Sequence, residues 1–594
     1  MLQIAVNDNY IDITEDISIT IIKKSPIFFQ YDGSFAYNFK LPRTNRNNRI
    51  FESPKLLCSI QFSGESILNG IMLVKFIYEE YFEVSCGFDK GFVNNKAQNT
   101  SLSSDIYTYT EQIPFGETPF AFYKSKFLSG IYANAIYPAI PYQVFPFIND
   151  NYFEGDAFQE QSICISTDSD PSDFETYIGN IVNYMKKDGA TDYQYNKHHN
   201  SNRRLPFNPS FFVTYIIEEI ANHFGFVMKR NFISEDDELR RLVVLHNADY
   251  TANNNGALFS YELKPGRYLP DITVMEFLNN IAAYFCGWVF VKGNEISILK
   301  FDDIFSDDSY VEFSENIISF YEIIEPIQNY TIDVNQDDKD AFKSEQIEQI
   351  KNMRVKGIVA TESDLNLINA ADELGVYYVE DLSGYIYRTF ANGVYLNTFL
   401  RLPIFDYNIG IGVAENTKIS NTVVTPSTTS LGNGGAEDLI LSKVYGKAAF
   451  WYIPIMKVQA DYVNSTGNYI KSDDTNIRLL FYRGIQTDIG GFSYPFASYD
   501  VFKAKFSVVA GANYSLDLYG NRGRYNNFFK KYLYWLMNIC RSFKMQKYLS
   551  PVEYNSIDFA LKYRINGAKY VLKSIETTLT YNKIGISEIE LAKI

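Results

Sequence analysis

The chain reads as an α+β protein that is predominantly β, and three observations carry that reading. Apolar and polar residues alternate in short runs at both ends, a helix–glycine–strand unit occurs twice in the middle, and the 594 residues include 47 Phe and 47 Tyr, residues that suit a pleated sheet. Hydrophobic residues make up 46% and charged ones 21%, which excludes a disordered, collagenous or coiled-coil chain. At roughly 100–200 residues per domain, about four domains are expected.

The first strands are marked by Ile11 and Ile13, then by Ile17, Ile19 and Ile21 in period two. A turn at Tyr31-Asp32-Gly33-Ser34 leads into Phe35, Tyr37 and Phe39 in the same period, and Leu68 to Cys86 continues the sheet around a break at Glu79-Glu80. Residues 1–110 are expected to form an N-terminal β-barrel-like domain. Residues 111–205 are expected to be irregular or inserted, because Pro114, Pro119, Pro138, Pro141 and Pro146 interrupt aromatic-rich sequence. Asp168, Asp170 and Asp173 in this region are spaced somewhat as in a calcium loop but lack the glycine at its sixth position, so a solvated polar loop is expected.

Residues 206–310 hold the duplicated helix–strand modules. In the first, Asn208 is expected to cap, Pro209 to occupy the first helical position, and Phe212, Ile216, Ile220 and Phe224 to line one face before Gly225 ends the helix. In the second, Thr273 and Glu276 form a capping box, Val274, Phe277, Leu278, Ile281 and Phe285 share a face, and Gly287 ends it. Strand-like residues follow each glycine, the second run turning through Lys292-Gly293-Asn294.

Residues 311–438 are expected to be an α/β connector ending in an exposed linker at 415–437, a stretch free of aromatics and rich in Ser, Thr, Asn and Gly. Residues 439–594 are expected to be a second β-barrel-like domain with one helix, Tyr525 to Cys540, burying Phe529, Tyr532, Leu533, Leu536, Met537 and Cys540. Asn566-Gly567 between two apolar runs marks a tight hairpin. The barrels need not be continuous in sequence.

Little chemistry is on offer. No GxSxG, HExxH, Walker A or GxGxxG pattern occurs, and the histidines are only His198, His199, His223 and His246. Cys58, Cys86, Cys164, Cys286 and Cys540 are scattered, never at CxxC spacing, and are expected to be reduced core residues. Adjacent carboxylates such as Glu79-Glu80 and Glu218-Glu219 point in different directions on a strand or helix, a poor start for glycoside hydrolysis. No catalytic, cofactor-binding or metal-ligating residue is assigned, and no cofactor is expected. The opening MLQIAVNDNYIDITED has no basic and apolar leader pattern, and no run of 18 apolar residues follows, so neither export by signal peptide nor a membrane-spanning segment is expected.

Charge is uneven. The net charge is −16, yet residues 521–573 carry eleven Lys or Arg against Glu553 and Asp558 alone, leaving +9 there and −25 elsewhere. A docking surface for an acidic protein neighbour is the favoured meaning, with a solvated helix face and lysine-protected hairpin edge as the rival.

Three stretches carry a family likeness: YDGSFAYNFKLPRTNRNNRIF near the start, LPDITVMEFLNNIAAYFCGWVFVKGNEISIL in the middle, and YGNRGRYNNFFKKYLYWL with LKYRINGAKYVLKSIE near the end. With them the chain resembles tail or baseplate hub proteins of Bacteroidetes-infecting phages and related prophages. The resemblance implies tube-like β-barrel domains joined by helix–strand α+β modules, and a homotrimer forming a ring between tail tube and baseplate or spike. It further implies a place in the virion tail, contacts with tail tube, baseplate, spike and possible tape measure proteins, and DNA only in passage through a lumen that a net-negative wall would keep from sticking. Interface positions named on this basis are Phe450, Trp451, Tyr452, Arg522, Arg524, Lys530 and Lys531. Two rival expectations stand beside it: a receptor- or glycan-binding tail adhesin, and a carboxylate-based glycosidase.

Overall fold

A computed structural model describes residues 1–29, 34–52, 56–88, 100–112, 135–149, 208–249, 262–324 and 507–594 in long stretches. It also describes the pieces 181–183, 185–188, 192–195, 329–332, 355–368, 374–381, 384–391, 394–400, 407–409, 416–419, 423–426, 428–431, 451–456, 461–463, 469–470, 474–487 and 493–504. The Tyr31-Asp32-Gly33 turn, the Asp168–Asp173 cluster, His198-His199, Cys164 and Phe450 lie outside the described residues.

The two ends of the chain meet in one 13-stranded sheet. Its main path runs Asn9–Tyr10, Leu2–Val6, Leu57–Phe62, Glu65–Ile77, Tyr81–Phe88, Ser34–Pro42, Ser18–Lys24, Ala568–Thr580, Ile584–Lys593, Ser542–Lys547 and Ile317–Ile323. Lys562–Ile565 branches from Ala568–Thr580 and takes Val311–Glu312 as a parallel neighbour. N-terminal Ser18–Lys24 pairs antiparallel with C-terminal Ala568–Thr580, Ser18 opposite Thr580 and Lys24 opposite Ser574. The sheet wraps one apolar core in which Ile4, Ile19, Ile21, Ile60 and Val84 from the N-terminal part join Met545, Leu572, Ile575 and Leu591 from the C-terminal part. The chain is thus predominantly β, as expected, but the tube-like closure is not seen: the two end strands of this path do not pair, and no sheet among the described residues closes into a barrel.

Local signals explain much of this sheet. Ile17, Ile19 and Ile21 are all buried, as period two requires. The run Phe35, Tyr37, Phe39 does not keep one face, because a bulge between Ala36 and Phe39 shifts the phase, burying Ala36, Phe39 and Leu41 and exposing Tyr37. Glu79-Glu80 forms the tight turn, where the Tyr78 backbone N–H donates to the Tyr81 carbonyl at 2.9 Å. Asn566 and Gly567 take φ of 49° and 84°, the doubly left-handed pair of a two-residue hairpin.

The middle forms a second body. The first helix spans Val213–Phe224 and buries Ile216 and Ile220, and Gly225 ends it at φ 73°. It begins later than the cap signal implied, since Ser210–Phe212 is held as a strand between Tyr142–Gln143 and Leu242–Leu245. Asn208 therefore caps nothing; buried, it donates through Nδ2 to the His246 carbonyl at 2.6 Å. The second helix, Val274–Tyr284, has the expected capping box of Thr273 and Glu276. Its left-handed exit is taken by Cys286 at φ 54°, not by Gly287. Gly287 is required for another reason: a Cβ there would stand 2.8 Å from the Phe232 ring and 3.0 Å from the Leu299 carbonyl oxygen. Both modules share one three-stranded sheet, with Glu295–Lys300 between Val227–Asn231 and Gly287–Lys292.

The 415–437 stretch is not one exposed excursion. Val423 and Val424 are buried as a short strand beside Ile477–Thr487, since two adjacent valines can join a core whatever polar residues flank them. Strands Asn416–Ile419 and Thr428–Leu431 lie on either side. None of the four described cysteines is in a disulfide; Cys58, Cys86 and Cys286 are buried and Cys540 is half-buried. No helix among the described residues is long and apolar enough to cross a membrane.

Gly287→Ala is expected to destabilise by about 1–3 kcal/mol through overpacking, whereas Gly225→Asn, with nothing within 4 Å of its Cβ position and a left-handed φ that Asn tolerates, should be close to neutral. Thermal unfolding midpoints of the two variants check the contrast.

Candidate assembly interface

The sheet presents an open edge. Ile317–Ile323 pairs antiparallel with Ser542–Lys547, and no described strand covers its other side. Ile318 and Tyr321 are exposed on this strand, and Ile324, just beyond it, is 95% exposed. Natural sheets usually blunt such an edge with charge, since its free N–H and C=O groups are a template for another chain. The one charge in this strand, Glu322, lies 3.4 Å from Arg541. A second apolar group sits at the Glu65–Ile77 to Tyr81–Phe88 turn, where Phe76, Ile77 and Tyr78 are exposed and Tyr78 stacks on Tyr81 with ring centroids 4.5 Å apart.

The basic C-terminal stretch finds its acidic neighbour inside the same chain. Residues 302–322 carry Asp302, Asp303, Asp307, Asp308, Glu312, Glu315 and Glu322. Lys531 pairs with Asp302 at 2.9 Å, Lys569 with Asp308 at 3.1 Å and Arg541 with Glu322 at 3.4 Å. Lys544 reaches Glu590 at 3.3 Å, and buried Lys547 lies 3.3 Å from Glu553 with its ammonium 4.1 Å from the Phe313 ring. Four of these partners, Asp302, Asp308, Glu322 and Glu590, lie outside the basic stretch, so its +9 is partly offset in space.

The named interface positions separate accordingly. Lys530 is exposed, and no described carboxylate pairs with it, whereas Lys531 is exposed but committed to Asp302. Arg522 is half-buried. Arg524 is an internal clamp and not a surface cation: it is 1% exposed, lies 3.7 Å from the Tyr284 ring, and donates to the carbonyls of Leu516 at 2.8 Å and Tyr284 at 3.1 Å. Trp451 and Tyr452 stand in the Trp451–Met456 strand opposite Leu431 and Ser430; their side chains lie outside the described residues.

The C-terminal helix opens with one wide π turn, Tyr525–Phe529, and continues as an α-helix over Lys530–Asn538. Phe529 and Leu533 are buried as expected, with Tyr532, Leu536 and Cys540 partly buried against the same core. Trp535, which the 3.6-residue period missed, is also buried and donates through Nε1 to the Lys593 carbonyl at 2.9 Å.

Of the carboxylates weighed for catalysis, Glu218 and Glu219 are engaged in holding the fold, and Glu111 is held in the same way. Glu219 accepts the Thr108 backbone N–H at 2.5 Å and its hydroxyl at 2.9 Å; Glu218 accepts the Tyr137 hydroxyl at 2.6 Å; Glu111 accepts those of Tyr142 at 2.6 Å and Tyr109 at 3.0 Å. Burial, and then the neighbouring carboxylates, push the Tyr137 and Tyr215 phenols well above their usual range, so both stay protonated, Tyr137 as the donor to Glu218. The Glu219 and Glu218 bonds strap Thr108 and Tyr137 onto the first helix. Glu79 and Glu80 sit exposed in their turn, and exposed His223 packs edge-on against Phe224 at 4.9 Å.

Two buried ion pairs complete the interior. Arg483 donates to Glu238 at 2.5 Å and to the carbonyls of Asp500 and Tyr514, while Glu238 accepts the backbone N–H groups of Asn513 at 2.7 Å and Tyr514 at 3.1 Å. Arg478 is paired with Asp474, and His246 Nδ1 lies 3.8 Å from the same carboxylate. Burial pushes Asp474 up, but the Arg478 and His246 charges and the hydrogen bonds to it hold it below the ordinary 3.8.

No protein-family model and no curated protein matches the chain. Three solved structures are similar to it at low scores, all described as tail proteins. They are the 43 kDa tail protein of prophage MuSo2 from Shewanella oneidensis (6% identity, TM-score 0.31, covering 100% of this chain and 98% of that one) and the tail protein from Neisseria meningitidis MC58 (8%, 0.31, 100% and 96%). The third is prophage tail protein gp18 from Listeria monocytogenes EGD-e (8%, 0.22, 100% and 94%).

Glu238→Gln leaves buried Arg483 without its counter-charge and is expected to cost about 3–5 kcal/mol, whereas Lys531→Gln, at an exposed pair, should cost less than about 1 kcal/mol; midpoints of thermal unfolding separate the two. Asp474, with its folded value depressed, contributes stability that is present above 3.8 and lost as pH falls through that lower value. The thermal midpoint should drop on acidification below about pH 4, and the drop should be smaller in Asp474→Asn.

Proposed function

We propose that the chain is a structural tail hub: a non-enzymatic virion protein that assembles as a homotrimeric ring between tail tube and baseplate or spike, around the path of the DNA. The observation that carries this reading is the open, largely apolar edge at Ile317–Ile323 on a sheet built from both chain ends. An exposed β edge bearing Ile318 and Tyr321 is costly for a lone subunit and useful for one that meets copies or neighbours. The family likeness of the three sequence stretches points the same way. Charge supports it too: the chain is net −16, and part of its basic stretch is paired with its own acidic strip, so passing DNA would be repelled more than held. Its partners would be its own copies, tail tube, baseplate or spike proteins, and the tape measure protein.

The adhesin reading keeps one observation, the exposed Phe76–Tyr78 ledge with its stacked Tyr81, a surface on which a sugar ring could lie. Glycan-array binding by the purified chain would favour it.

Sedimentation of the purified chain, alone and with tail tube protein, tests the hub. A trimer, or a complex with tube protein, is expected, and the double variant Tyr321→Glu, Ile324→Glu should return it to monomer with an unchanged circular dichroism spectrum. Wild-type protein that stays monomeric in both conditions would overturn the proposal.

A further inference from the structure

Three sulfur-bearing side chains share one patch of the core under the large sheet, in a chain with only nine Met and five Cys among 594 residues. Cys58, Met72 and Cys86 are 3%, 1% and 2% exposed and stand on three successive neighbours in the sheet, Leu57–Phe62, Glu65–Ile77 and Tyr81–Phe88. Register puts them on one face: Cys58 is opposite Gly70, Met72 follows two residues after Gly70, and Cys86 is opposite Met72. Residues so opposed have Cβ atoms about 4.5–5.5 Å apart. Gly70 has no side chain to part its neighbours, and the Cys58 and Cys86 Sγ atoms approach to 3.8 Å across the middle strand.

A metal–sulfur bond is about 2.3 Å long, so two sulfurs on one ion stand about 3.8–4.0 Å apart at tetrahedral to trigonal angles. A disulfide suits the pair less well. Strands two apart in a sheet lie about 9–10 Å from each other, whereas bridged cysteines need Cα atoms within about 7 Å. The donor set then selects the metal. Thiolate and thioether are soft ligands that favour Cu(I), while Zn²⁺ asks for four donors, and no group of three or more His, Cys, Asp or Glu placed to hold a metal occurs among the described residues. Charge agrees: a monovalent ion with one thiolate, one thiol and one thioether is neutral, as suits a core in which Cys58 is flanked by Val6 and Cys86 by Ala36.

We infer that Cys58, Cys86 and Met72 form a binding site for one soft monovalent metal ion, Cu(I) by donor chemistry. On binding, one thiol releases its proton to solvent as its metal–sulfur bond forms, the other thiol and the thioether donate lone pairs, and no electron is transferred. The bound ion ties three strands of the N-terminal part of the sheet together, and as a ligand of the folded state alone it raises the unfolding midpoint. The site stands independently of the hub reading.

Anaerobic titration of the reduced full chain with Cu(I), presented as its bicinchoninate complex, tests it. The triple variant Cys164→Ala, Cys286→Ala, Cys540→Ala, in which Cys58 and Cys86 are the only thiols, is expected to take one ion per chain from the complex, with an ultraviolet thiolate-to-copper absorption band and a higher thermal midpoint. Adding Cys58→Ala, Cys86→Ala or the volume-conserving Met72→Leu to that variant should weaken uptake at least about tenfold, with the circular dichroism spectrum unchanged. No uptake by the triple variant, uptake that survives in its folded Cys58→Ala or Cys86→Ala derivative, or an affinity that Met72→Leu leaves unchanged would overturn the inference.

Discussion

The ladder between Ser18–Lys24 and Ala568–Thr580 is the constraint on which the rest of the molecule depends, because it turns two distant chain segments into one sheet with one core. Closing so long a loop is affordable: the entropic penalty grows only logarithmically, about 0.6 kcal/mol for each doubling of length. Its kinetic consequence is larger, since pairings between residues 24 and 574 must wait for the chain to find them. The described parts of 100–112, 135–149 and 208–300 lie between strands of that sheet in sequence, and they pack into an apolar cluster that also takes Trp535, Val571 and Ala592 from the C-terminal end. The two bodies therefore share walls.

Electrostatics follows the same geometry. A stretch that is strongly basic along the chain lies beside an acidic stretch some 230 residues earlier in number, as the Lys531–Asp302 hydrogen bond illustrates. Exposed pairs of this kind contribute little each, but together they reduce the positive field of the stretch. The buried pairs act differently. Arg483 with Glu238 joins segments 245 residues apart, with backbone partners that fix how they meet, whereas Arg478 with Asp474, four residues apart, ties down the start of its own strand.

How far this was legible in the sequence depended on the range of the signal. The capping box at Thr273, the Gly225 stop, the Asn566-Gly567 hairpin and the Ile17–Ile21 alternation are all contained within a few residues, and each is found in the structure. Asn208 and Gly287 were read as punctuation and turned out to serve tertiary contacts, a hydrogen bond to His246 and a close approach to Phe232. The exposed edge at Ile317–Ile323 carried no local mark, because being an edge is a property of what lies alongside.

The sequence by itself determined the predominance of β structure, the two helix–strand modules with the Gly225 stop of the first, and the scarcity of groups for catalysis, since each rests on local periodicity or on which side chains are present at all. Only the tertiary structure decided that the chain's ends share a sheet, that the sheet stays open, that Arg524 is an inward clamp, and that the C-terminal cations meet their own chain's carboxylates. Those outcomes depend on distances between residues far apart in number, and neither composition nor period encodes a distance.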